Sequence, residues 1–286
     1  MPLQGYEHSR ELLRLLPNVL RAREFHLYLE GGRRIVDLWL AGGKAVLGHK
    51  TPRVLLEMKN AAERGLFTAF PHPTERRFIK ALRQIFPDRA FRLYNEESAL
   101  YRALEKKGIG GLIHDPAFPR ESIEDSQTSE SKEAGQNRIS LWRPFIDDNY
   151  LSTILAPVLP WPLSPAVLVL DKGMDSSFPP GELIPPVILA PAARALYDLT
   201  AVVKAFSTKP VREPKIEKAI KDSLWRRRGI YLTIKQDTGE AEYAALFKHF
   251  LEGGFLIPPS KREPVILPRE MSKGEEAKLA ELLQNP

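Results

Sequence analysis

Four places in the chain carry residue types that could do chemistry. The first is Asn95-Glu96-Glu97-Ser98, which follows the short apolar run Phe91-Arg92-Leu93-Tyr94 and opens a helical pattern reaching Lys107. Backbone N–H groups at a helix start attract anions. Two carboxylates in the same turn repel a phosphate, and both suit a first helical turn on their own account. The second is Asp171-Lys172, with Asp175 close behind, at the end of the apolar run Ala166 to Leu170. Charges there lie where α/β proteins often bind ligands, and solvated strand-end charges are the plainer alternative. The third is the triplet Arg226-Arg227-Arg228. It could meet a phosphate, but no nucleic-acid module and no basic–aromatic alternation accompanies it, so the sequence assigns no nucleic-acid partner. The fourth is the glycine-punctuated stretch from Phe25 to Gly65, whose plainer alternative is a hairpin packed on a helix with Gly48-His49 as an ordinary turn.

Composition sets the outer bounds. The 286 residues are 43% hydrophobic, as expected of a chain with a full core, and they divide into one large domain or two unequal ones. Cysteine is absent, which excludes disulfides, thiolate zinc sites and cysteine nucleophiles and fits a cytoplasmic protein. The formal charge of +6 with a pI near 9.4 is a mild surplus that permits an anionic partner without naming one. The reading finds no membrane-length apolar run and no signal-peptide core.

The positioning elements follow from periodicity. Tyr6 to Leu20 reads as a helix with a leucine-rich face, broken at Pro17, that either crosses to a partner subunit or caps the core. Phe25 to Leu29 and Arg34 to Leu40 read as a hairpin about Glu30-Gly31-Gly32-Arg33. Thr51-Pro52 starts a helix that ends at Gly65, and Thr74 caps a second one reaching Phe86. Phe67, Phe70 and His72, in the loop Leu66 to Pro73, either line a pocket or plug a core edge. Residues 119–138 are polar and aperiodic and read as a mobile surface loop. Ile139 to Phe145 reads as a strand and Leu155 to Pro165 as a proline-rich connector. Ala166 to Leu170 reads as a buried parallel strand, and Ala192 to Phe206 as an apolar helix. Ile216 to Trp225 reads as a helix with the arginine triplet at its positive-seeking end. Tyr243 to Glu252 is another helix, and Ser272-Lys273-Gly274-Glu275 is a capping box for the last.

Several of these pieces, in this order, resemble the class III aminotransferases, the pyridoxal-phosphate enzymes that include glutamate semialdehyde aminomutase. The likeness lies in Val36-Asp37 on the hairpin, the glycine-rich segment after it, Leu47-Gly48-His49 with Pro52 and Val54, and Arg64-Gly65. It returns in Asn95 and in Gly253-Gly254-Phe255-Leu256-Ile257-Pro258-Pro259-Ser260. The resemblance implies a reduced pyridoxal-phosphate-transferase fold, an α/β core with a mostly parallel sheet and a smaller C-terminal α/β domain. It divides the chain into an arm and hairpin over residues 1–50 beside the small domain, a reduced large domain over 51–210, and a small domain over 211–286. It implies a homodimer, a small-molecule substrate and a pyridoxal phosphate contacted by Asn95, Ser98 and Asp171. Departures are equally specific. Glu96 and Glu97 replace small cradle residues. Near Gly110, Gly111 and His114 no ring-stacking aromatic stands. No lysine precedes a glycine run: Lys172 is early, Lys204 is within a helix and Lys209 precedes a proline. The interval from Pro165 to Pro214 is compressed. The sequence therefore points to a class III-like protein without standard transaminase activity. The alternative is an aminotransferase or aminomutase in which Lys172 or Lys204 serves with Asp171 or Asp175.

Overall fold

The computed structural model describes residues 9–109, 113–119, 139–146, 153–208, 213–221, 223–235 and 238–284. Gly110, Gly111, Lys209, the loop of 120–138 and the side chain of Asp175 lie outside the described residues. The strands are β1 (Val19–Arg23), β2 (His26–Leu29), β3 (Arg34–Asp37), β4 (Arg89–Tyr94), β5 (Ile139–Trp142), β6 (Ile154–Pro157), β7 (Ala166–Asp171), β8 (Trp225–Arg228), β9 (Tyr231–Ile234), β10 (Phe255–Leu256) and β11 (Val265–Ile266). The helices are α1 (Pro52–Glu63), α2 (Pro73–Ile85), α3 (Glu97–Glu105), α4 (Pro186–Thr208), α5 (Pro214–Ile220), α6 (Glu240–Glu252) and α7 (Lys273–Gln284). The chain forms two compact units, one of residues 1–50 with 209–286 and one of residues 51–208.

The first unit is built on the hairpin. In β2 the alternating pattern of HLYL buries Leu27 and Leu29, and the turn to β3 places Gly31 and Gly32 at φ +81, where a Cβ would strain the backbone. β1 pairs antiparallel with β2, and β10 adds to β3 in parallel with Phe255 opposite Val36. A second sheet, in the order β11-β9-β8, is antiparallel. α6 turns Tyr243, Leu246, Phe247, Phe250 and Leu251 inward at helical spacing, onto Leu38, Trp225, Leu232 and Leu279.

Two expectations fail in this unit. Among the described residues the N-terminal helix covers only residues 9–13, and Val19 to Arg23 is strand. Pro17 removes a helical donor, and the chain beyond it finds a ladder partner in β2. The arginine triplet does not end a helix either. α5 stops at Ile220, and Arg226 to Arg228 belong to β8, which turns at Gly229 (φ +60) into β9. Period-two alternation then sends Trp225 and Arg227 to one side: Trp225 is buried, and Arg227 bonds Glu213 at 2.7 Å.

The second unit holds a four-stranded sheet in the order β4-β7-β6-β5. β7 runs antiparallel to both β4 and β6, and β5 pairs with β6 in parallel. The expectation of a mostly parallel sheet is thereby corrected: both four-stranded sheets are mixed, and most of their pairings are antiparallel. The residues of β7 are buried as expected for an inner strand, but burial carries no information on direction. The connection from β6 to β7 is short and without a helix, and such a link returns the chain antiparallel. The supposed connector also begins as strand, since Ile154 to Ala156 are buried in β6 and its proline stands last, at Pro157.

α1 and α2 each pack against α4. Phe78, Ala81 and Leu82 form the inner face of α2. Its cap is His72, whose Nδ1 accepts the Thr74 N–H at 3.2 Å, and not Thr74 itself. Thr51 precedes the N1 proline of α1 but makes no side-chain cap. Pro186–Phe206 is 21 residues, long and apolar enough by length and composition to cross a membrane, contrary to the sequence reading; half of its most apolar stretch is buried in the fold.

Candidate functional site

The turn after β4 is the natural place to look for a bound anion. β4 is the outer strand of its sheet, and Leu93 and Tyr94 at its end are buried while Asn95 to Ser98 emerge into solvent. α3 then begins with Glu96 as its N-cap residue and Glu97 in the first turn. The Asn95 donors and the Ser98 hydroxyl are already engaged. The Asn95 backbone N–H donates to Glu182 Oε2 at 2.7 Å, and Asn95 Nδ2 donates to the same oxygen at 3.0 Å. Ser98 Oγ donates to Glu96 Oε2 at 3.0 Å. Three carboxylates thus surround one helix start.

Glu182 arrives on a strap, residues 179–183, that covers the outer edge of β4. Its N–H donates to Leu93 O at 2.8 Å, and Arg92 Nε donates to Pro179 O at 3.1 Å. Gly181 permits the close approach, since a Cβ there would lie 2.7 Å from Leu93 N and 2.8 Å from Leu93 O. Beside it the Tyr94 hydroxyl is buried with no hydrogen-bond partner among the described residues. Burial pushes this phenol's pKa up, with the Glu182 carboxylate adding to the rise and Arg92 opposing it.

Asp171 stands elsewhere. The β4–β7 register pairs Arg89 with Asp171 and Tyr94 with Ala166. Asn95 and Asp171 are therefore at opposite ends of the strand pair, roughly 20 Å apart along it. Asp171 forms an ion pair with Arg89, and Lys172 Nζ forms one with Asp88 at 2.8 Å, holding that exposed carboxyl below its usual range. Lys204 is exposed on α4. His114 lies in an isolated bridge to Ser140, its N–H donating to Ile139 O.

A second constellation, in the first unit, escaped the sequence reading. Asp37 is 2% exposed, and its Oδ1 accepts the N–H groups of Trp39 and Leu40 at 2.8 and 2.9 Å. Its Oδ2 lies 2.8 Å from His49 Nε2, which must carry the proton if the carboxylate is ionised. Trp39 Nε1 donates to Glu263 Oε2 at 2.6 Å. These bonds hold Leu40, Ala41, Gly42 and Gly43 in a run of positive φ from 49 to 105, a conformation that costs Leu and Ala about 1–2 kcal/mol each. The Val36-Asp37 and Gly48-His49 signals were visible in the sequence; their pairing was not, since the irregular chain between the partners has no period that brings them together.

A phosphorylated pyridine cofactor can be tested against these residues. In the turn before α3 the Asn95 N–H and amide are bonded to the Glu182 carboxylate, and Glu96 and Glu97 add two acidic side chains, which disfavour a phosphate there. The turn does not fit that group. Among the described residues no cluster of His, Asp and Glu could hold a metal ion.

Comparison with known proteins places the fold. No family model matches the sequence. An uncharacterized protein of Treponema pallidum is 26% identical over 304 residues, covering 91% of this chain and 92% of that protein. A stretch of 57 residues is 46% identical to glutamate-1-semialdehyde 2,1-aminomutase of Aeropyrum pernix, covering 20% of this chain and 13% of that enzyme. The solved ornithine delta-aminotransferase of Plasmodium falciparum superposes with a TM-score of 0.70 at 14% identity, over 98% of this chain and 97% of its own. Other aminotransferase structures align similarly, and the chain has an α/β fold of the pyridoxal-phosphate-dependent transferase type, like that of the class III aminotransferases.

Proposed function

We propose that the chain is a class III aminotransferase-like protein without standard transaminase activity, a homodimer that keeps the transferase shell as a scaffold or binding protein. The observation that carries this reading is the separation of the candidate contacts. Transamination needs a phosphate anchor, an acid paired with the ring nitrogen and an attaching lysine within reach of one ring at once. Asn95 lies roughly 20 Å from Asp171 along β4 and β7, further than a single-ring cofactor extends. The lysines favour the same reading, Lys172 being paired with Asp88 and Lys204 exposed on a helix. The absence of cysteine supports a cytoplasmic setting.

The test is direct. Purified protein is mixed with pyridoxal phosphate, freed of excess, and its visible spectrum and intact mass are recorded before and after borohydride. The expected result is an unchanged spectrum and mass. A stoichiometric visible band trapped as one modified lysine would replace this reading with that of an aminotransferase or aminomutase using a non-standard site, and would name the lysine.

A further inference from the structure

We infer that Glu182 is a built-in occupant of the turn before α3, a carboxylate that the chain supplies to the Asn95 donors a dissolved anion would otherwise meet. The chemistry is that of anion binding by the donors of one turn, satisfied from within. A carboxylate is held by backbone N–H and side-chain amide donors. Glu182 Oε2 takes both the Asn95 N–H and the Asn95 side-chain amide, at 2.7 and 3.0 Å. An acidic side chain near a helix start would mean little alone. Here the segment carrying it is fastened along the sheet edge: Glu182 N–H to Leu93 O, Arg92 Nε to Pro179 O, and Gly181 seated against the Leu93 backbone. The backbone anchors hold the carboxylate at the donors, so it competes with dissolved anions at high effective concentration. Glu96 and Glu97 add repulsion but leave the Asn95 donors alone; Glu96 is bonded to Ser98 instead.

Sequence spacing hides this contact, because Asn95 and Glu182 are 87 residues apart. It stands independently of the proposed loss of transaminase chemistry, since a chain can lack that chemistry and still bind phosphate.

The experiment uses the full chain and inorganic phosphate alone. Amide exchange and chemical shift at Asn95 are followed by NMR in the native protein and in Glu182→Ala, Glu182→Gln and Gly181→Ala. In the native protein Asn95 is protected and unmoved by millimolar phosphate. Glu182→Ala speeds its exchange about tenfold or more and makes its shift saturate with phosphate. Glu182→Gln keeps an acceptor oxygen and stays protected and closed. Gly181→Ala pushes the strap off Leu93 and reproduces the opening without altering charge, which guards against a misfolded Glu182→Ala. Native protein that binds phosphate at Asn95, or opened variants whose Asn95 exchange is unchanged, would overturn the inference. Opening by Glu182→Gln equal to that by Glu182→Ala would overturn it too, by assigning the effect to charge alone. Phosphate binding in the opened variants without a lysine-bound chromophore leaves the proposed function standing, so the two ideas fail separately.

Discussion

Asp37 shows how one residue can be legible in type and hidden in role. Its identity at the end of an apolar strand is plain in the sequence, but what it does depends on a turn that doubles back on it. The carboxylate accepts two backbone N–H groups and faces His49, all in a nearly buried setting. Asp37→Ala leaves those donors without an acceptor and is expected to cost about 3 kcal/mol, from the penalty for orphaned buried groups. Asp37→Asn retains an acceptor oxygen for Trp39 and Leu40 and is expected to cost less than half as much. Urea denaturation of the two variants checks this, and equal losses would place the energy in the charge instead. Glu182 makes the same point for the candidate site. A glutamate in a proline-rich stretch has no local pattern that points to Asn95, whereas Asn95 and Ser98 could be named from their place between a strand and a helix.

At the level of elements, one of the three expected caps formed as read, the Thr51 and Thr74 caps did not, and strand direction was not read. The Ser272–Glu275 capping box is present in both halves: Ser272 N–H donates to Glu275 Oε2 at 2.9 Å, and Glu275 N–H to Ser272 Oγ at 3.2 Å. Glu275 also ties α7 to the hairpin through His26 at 2.9 Å and Arg34 at 3.1 Å. Burial alone would raise the Glu275 pKa; the Ser272 N–H and hydroxyl and the His26 ring outweigh it and hold the carboxyl below its usual value. A depressed folded pKa means that this stabilisation is complete above the unfolded pKa of about 4.3 and is lost as pH falls through the lower folded value. Glu275→Ala is therefore expected to cost about 1 kcal/mol at pH 7 and to show a shallower acid loss than the native chain. Denaturant midpoints at pH 7 and pH 3 measure both. By contrast, the run AVLVL has the same composition whichever way its neighbours run, and only the β4–β7 and β6–β7 registers make it antiparallel. The arginine triplet likewise has no local feature that chooses a strand over a helix end until β9 offers it a ladder.

For the whole molecule, assembly is the property with the clearest test. Phe67 and Phe70 are 61% and 59% exposed, and Leu55 and Leu56 are also exposed on α1. Aromatic and aliphatic surface of this kind is what a self-complementary contact buries. A closed two-fold dimer is the expected state, and Phe67→Ala with Phe70→Ala is expected to weaken it at least tenfold; sedimentation equilibrium at micromolar concentration decides, and a native monomer throughout would refute it. The amino-acid sequence by itself determined the elements whose signals are local: the glycine-turn hairpin, the proline-started helices, the capping box, the apolar faces of α2 and α6, and through their order the likeness to class III aminotransferases. Tertiary structure alone decided which strand lies beside which and in what direction, that Asn95 and Asp171 are at opposite ends of one strand pair, and that Glu182 closes the turn before α3. The physical reason is range. Caps, turns and amphipathic faces are set by neighbours within a few residues, whereas strand partners and the contacts of a side chain depend on segments brought together only when the core forms.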